Sequence, residues 1–229
     1  MEPLPERNPA GFWARSAAWS LDAVCLLPLA LLLGASPIRA ALVQASAAFS
    51  ALSADMTRLL DAALAQGQIP TARVLSWLQD PRLLASIDQL QSALTLLLIL
   101  PLLFYAALAG LWSVGFEASA WQATPGKRAL GLVVTTAHGG RLSRRQALLR
   151  FAAAGVSWLS LNLGHAMAAF APHLALHDRL SHSRVLAARP GLPLWARAWL
   201  GLLATGFLLG SVLAFRWLQG WMLQAAGAA

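Results

Sequence analysis

The sequence predicts an all-α polytopic membrane protein with three or four hydrophobic helical segments, an extracytoplasmic helical hairpin and a small cytoplasmic β-strand element. Three observations predict it. Of the 229 residues, 58% are hydrophobic and only 11% are charged, where a soluble chain carries about a quarter. The apolar residues fall in runs long enough to cross about 30 Å of hydrocarbon as helices. The net charge of +8 gathers in the segments between those runs. The single cysteine, Cys25, lies within an apolar run, which excludes an internal disulfide.

Residues 1–10 are polar and punctuated by proline, and are expected to form a disordered N-terminus. Residues 12–34 form the first apolar run. Its LLPLALLLG stretch has the look of a signal-peptide core, but Asp22 inside the run and Glu2 and Glu6 before it favour a retained helix. Arg15 and Asp22 are seven residues apart and so share one helix face, two turns from each other. An acidic side chain at the bilayer centre costs on the order of 2.5–3.5 kcal/mol, so Asp22 is expected against protein or water. Two roles stay open for it: a structural ion pair or hydrogen-bonded carboxyl, or a direct part in ion passage.

Between residues 36 and 90 the charges balance, Arg39, Arg58, Arg73 and Arg82 standing against Asp55, Asp61, Asp80 and Asp88. Leu42, Phe49, Leu52, Met56, Leu59 and Leu60 recur at helical intervals. Gly67 and Pro70 interrupt them, and Val74, Leu75 and Leu78 resume the pattern. This reads as an amphipathic helical hairpin outside the membrane. The second span is expected from Ala93 to Trp112, ending near Glu117. Pro28 and Pro101 each remove one backbone hydrogen bond and read as kinks.

Residues 113–150 carry six lysine and arginine residues against a single glutamate. The positive-inside rule places them in the cytoplasm. Leu130 to Thr136 is β-branched enough for a strand, and His138-Gly139-Gly140 supplies a turn. Ser143-Arg144-Arg145-Gln146 reads as a capping box that opens a helix. Lys127, Arg128, Arg141, Arg144, Arg145 and Arg150 are expected to contact lipid phosphate or a partner. A nucleotide loop is excluded at TPGKR, because the second glycine and the Ser/Thr of that motif are missing. No basic stripe interleaved with aromatics points to nucleic acid.

Residues 151–172 are uncharged and long enough to cross. Residues 176–197, however, again carry four arginines against Asp178. A broken or re-entrant hairpin centred on Asn162, Gly164 and His165 keeps those charges inside. His173 and His177 have metal-ligand spacing, but no carboxylate or cysteine completes a set on their face; no metal or cofactor is expected. His177-Asp178 is a titrating pair. The last span runs from Ala198 to about Leu218, with Trp195 and Trp199 at one end and Trp217 and Trp221 at the other as aromatic belts. Gly206 and Gly210 form a GxxxG that permits a homodimer or close packing within the chain.

The segments F-W-A-R-S-A-A-W-S-L-D (12–22), W-Q-A-T-P-G-K-R-A-L-G-L (121–132) and L-H-D-R-L-S (176–181) together resemble the RDD family of bacterial membrane proteins. The arginine and two aspartates of its name map onto Arg15, Asp22 and Asp178. The resemblance covers about residues 11–187 apart from the outer hairpin and leaves a C-terminal helix, 188–229, beyond it. Ala123 replaces a frequent glycine, Ser183 stands where a threonine is usual, and the insert at 36–90 is long. The resemblance implies a transport role, with sodium–proton antiport reported for some members. The leading expectation is therefore small-cation transport in the inner membrane, coupled to protons. Arg15, Asp22, Asp178, His177 and Glu117 would form its ion-binding or structural charge network. The alternative is a non-catalytic scaffold or assembly factor binding anionic headgroups or a protein partner through the basic loop. No nucleophile–base pair or metal set points to an enzyme.

Overall fold

Residues 8–67 and 76–225 are described in a computed structural model, with side chains through residue 220. The chain is mostly helical and divides after Val24 and again after Ala109 into two compact units. Among the described residues three helices are long and apolar enough to cross a membrane: α1 (Phe12–Leu33), α3 (Pro81–Glu117), and the Leu194–Gly220 stretch of the last helix, α8 (Leu194–Ala225). Large apolar side chains on them face outward, Leu98 at 66% and Phe207 at 80% exposure among them. Water would not tolerate so continuous an apolar surface, and hydrocarbon does.

In the unit from Cys25 to Ala109, Gly34 turns the chain from α1 into α2 (Ala35–Ala65). A Cβ at Gly34 would stand 2.8 Å from the Phe104 ring and 3.1 Å from the Ala30 carbonyl, so only glycine fits this corner. Helices stand where the two arms of the hairpin are expected, and polar side chains join them. Arg58 on α2 donates to Asp80 Oδ1 at 3.0 Å, and Ser86 on α3 donates to Asp55 Oδ2 at 2.5 Å. Asp80 caps α3 by accepting from the Arg82 and Leu83 amides, with Pro81 at the first helical position.

Two details of the hairpin differ from expectation. Its second arm and the second span are one continuous helix, because nothing between Pro81 and Ala93 stops it. The apolar stripe of α2 is not its packed face: Ala41, Ala48 and Ala63 are buried, whereas Leu42, Phe49 and Met56 are exposed. The expected break at Pro70 and the resumption at Val74 and Leu75 lie outside the described residues.

The other unit is built on a three-stranded antiparallel sheet in the order β1 (Asn8–Pro9), β3 (Ser183–Ala187), β2 (Leu132–Thr136). β2 falls where the β-branched run predicts a strand, and Gly139 turns the chain behind it at φ +84°. The small β-strand element expected there is a three-stranded sheet. Asn8 and Pro9, read as part of a disordered leader, pair with Ala187 and Leu186; the rest of that leader, residues 1–7, lies outside the described residues. Leu132, Val134 and Val185 are almost completely buried and form a small core with Ala10, Ala18, Ala118, Leu142 and Ala147.

Between β2 and β3 lie α5 (Arg144–Leu159), α6 (Leu163–Ala166) with a 3-10 turn at Met167–Ala169, and α7 (Leu176–Leu180). The capping box at Ser143 and Gln146 is formed as expected. The axis bends by 113° between α5 and the helix that follows, where Leu161 and Asn162 take positive φ of 52° and 64°. β2 and β3 flank this segment and pair with each other. A hydrogen-bonded sheet cannot straddle a bilayer, so the two strands that flank residues 144–169 belong on one side; the bend is that of a broken span or a re-entrant loop.

Candidate functional site

α7 is a single turn, and its third residue, Asp178, is fully buried. The carboxylate accepts from the Ala175 amide at 2.9 Å, closing the turn on itself. Arg15, one turn into α1, donates from Nη1 to Asp178 Oδ2 at 2.5 Å, from Nη2 to the His173 carbonyl at 2.7 Å and from Nε to the Ala10 carbonyl at 2.8 Å. Arg150, on the buried face of α5, donates from Nη1 to Asp178 Oδ1 and, at 2.7 Å, to Ser183 Oγ. Its Nε lies 3.1 Å from Glu117 Oε2 at the end of α3. Glu117 in turn accepts at Oε1 from Lys127 Nζ at 2.5 Å. Lys127 belongs to α4 (Pro125–Ala129).

The result is a chain of alternating charge, Arg15–Asp178–Arg150–Glu117–Lys127, that joins five helices. Burial alone would raise the pKa of Asp178, but the charges of Arg150 and Arg15 outweigh it and hold the carboxyl well below the usual carboxylate range. His177 lies beside it, with Nε2 3.6 Å from Asp178 Oδ1. Burial, and next the charge of Arg150, push the imidazole well below its ordinary value, so it is neutral at pH 7.

Asp22 occupies a separate site. It accepts from Thr124 Oγ1 at 2.5 Å on Oδ2, and from the Gly126 amide at 2.8 Å and the Trp112 indole at 3.1 Å on Oδ1. The T-P-G sequence explains the fit. Thr124 is the N-cap and Pro125 the first residue of α4. A Cβ at Gly126 would collide with the Ala18 carbonyl and stand 2.9 Å from Asp22 Cγ. Glycine lets this backbone lie directly on α1, where its amide reaches the carboxylate.

The expected network residues Arg15, Asp178, His177 and Glu117 therefore come together, but Arg15 does not pair with Asp22. The two share a face of α1, yet Arg15 reaches to α7 and Asp22 to α4. Lys127 and Arg150, expected at lipid phosphate, are instead consumed by Glu117 and Asp178; Arg150 is only 5% exposed. Arg128 stacks over Trp121 with its guanidinium 4.4 Å from the ring centre, and Arg141 donates to the Ala118 carbonyl. Arg144 and Arg145 are exposed and make no ion pair among the described residues. A Cβ at Gly206 or Gly210 would meet nothing within 4 Å among the described residues.

The roles of Arg150, Thr124 and Ser183 were missed. The threonine carried a readable signal, Thr-Pro being an N-cap signature. An arginine in a basic loop carries none that separates burial from exposure. The RDD family model matches residues 9–182, which include every residue of both sites except Ser183. No curated protein and no solved structure matches the chain.

Proposed function

The chain belongs to the RDD family, and from that premise we propose that this multi-pass membrane protein is a non-catalytic scaffold of the inner membrane. Its arginine-rich cap, the exposed arginines between residues 128 and 197 of the unit that holds the charge chain, would meet anionic lipid headgroups. The observation that carries this reading is how the unit's carboxylates are used. Asp22, Glu117 and Asp178 are its only described acids, all three are buried, and all three are held by internal donors. From residue 128 to residue 197, every exposed formally charged side chain is an arginine. The cap offers guanidinium groups with no neighbouring acid to neutralise them, the arrangement that phosphate recognition needs.

A second reading, small-cation transport coupled to protons, draws support from one feature. Asp22 is a buried carboxylate with no cationic partner among the described residues, so a cation would not have to displace an arginine there. Asp178 and Glu117 lack that freedom.

Thermal unfolding of the full chain in neutral detergent tests the scaffold reading. Added phosphatidylglycerol should raise the midpoint more than phosphatidylcholine does, and salt should erase the difference. Changing Arg144 and Arg145 together to glutamine should remove part of it, each arginine contributing about 1 kcal/mol. Equal stabilisation by both lipids, or a double variant that responds as the parent does, would refute lipid phosphate as the target.

A further inference from the structure

The turn that folds α5 onto α6 carries a second polar cluster, beside the ion chain but outside it. Ser157 Oγ, His165 Nδ1 and His177 Nδ1 are buried without a hydrogen-bond partner among the described residues. The two imidazoles are 5.1 Å apart between ring centres and tilted by 53°. Ser157 abuts Gly164, whose absent Cβ would collide with its hydroxyl and stand 2.9 Å from Leu176 Cβ. Gly164 and Leu176 are the residues immediately before the two histidines, so all three orphaned groups belong to one spot. Buried polar atoms rarely stay unpaired without a ligand or a function.

We infer that Ser157, His165 and His177 form a buried proton-binding site whose occupation frees Asp178 from Arg150. The geometry of the carboxylate carries the link. His177 Nε2 is 3.6 Å from Asp178 Oδ1, and Oδ1 is the same oxygen that Arg150 Nη1 uses. In neutral imidazole one nitrogen donates and the other accepts; a proton makes both donors. The imidazolium would then bid for Oδ1 as a cation, while its Nδ1–H gains a partner in His165 or the Ser157 hydroxyl. Arg150 keeps Ser183 and Glu117 when it loses Asp178.

The charged and titratable groups facing His177 are Asp178 on its own turn, His165 from α6, Arg150 from α5 and Arg15 from α1. The two arginines oppose a third positive charge, so the site fills only on acidification. The folded chain then takes up this proton at lower pH than the unfolded chain, whose imidazole titrates near 6.5. Stability is accordingly full above that value and falls as the pH drops below it. This device does not depend on the scaffold reading.

The test is the unfolding midpoint of the full chain in detergent between pH 8 and pH 5. Parent, His177→Gln, His165→Gln and, as an exposed control, His138→Gln are compared. The parent midpoint should fall on acidification by several degrees, both buried-histidine variants should flatten that fall, and the control should keep it. Should His177→Gln not fold, His165→Gln and a side-chain NMR titration of the parent histidines carry the test, with one ring expected to titrate well below the exposed ones. The inference is overturned if the variants lower the midpoint equally at every pH, or if all rings titrate together.

Discussion

Asp178 shows how one residue can hold several elements. Its two oxygens are divided between Arg150 and Arg15, and its position in α7 closes a one-turn helix. Removing one partner of a buried ion pair strands the other and costs about 3–5 kcal/mol. Asp178→Asn should therefore destabilise the protein by about that much, since two guanidinium groups lose their anion. Arg15→Gln should cost less, because Arg150 still neutralises the carboxylate. Chemical unfolding in mixed micelles gives that order. The depressed pKa of Asp178 also sets a pH window: its stabilisation is present above the ordinary value of 3.8 and is lost as the pH falls below it. The family resemblance pointed to Arg15, Asp22 and Asp178, and helix spacing to a pairing of Arg15 with Asp22 that the structure does not form. Arg15 and Asp22 are legible as neighbours because helical spacing is local. The Arg15–Asp178 bond spans 163 positions, and no periodicity records that.

Local chemistry made some elements readable and others not. The capping box at Ser143 and the strand ending at Thr136 follow from side-chain type and spacing within a few residues. β1 has two residues and β3 carries an arginine, Arg184, at its second position; neither announces itself without its partner strand. Charge points to a return of the chain after residue 172, since by the positive-inside rule the arginines after that segment belong on the same side as those before it. The pairing of Thr136 with Ser183 and of Leu132 with Ala187 gives that a physical basis. Single cysteines placed at positions 139 and 189, in a Cys25→Ser background, should both react with an impermeant reagent from one side only. Labelling from opposite faces would mean that residues 144–169 cross the membrane and that β2 and β3 do not pair.

Across the whole molecule the charge is segregated rather than merely positive. The described acids of the cap-bearing unit lie inside, Glu117 and Asp178 paired there with Arg15, Arg150 and Lys127, and its remaining described arginines are exposed, so the internal charge chain both fixes the fold and leaves the cap unopposed. Composition gave the net charge, but only the structure shows which charges cancel. A scaffold keeps these carboxylates occupied by protein donors; a carrier needs at least one of them to bind and release the carried cation during a cycle. The most direct test is sodium flux driven by a pH gradient in proteoliposomes, run for the parent and for Asp22→Asn, with folding checked by thermal unfolding. A scaffold gives no flux above protein-free liposomes in either. Flux in the parent that disappears in a folded Asp22→Asn protein would contradict it.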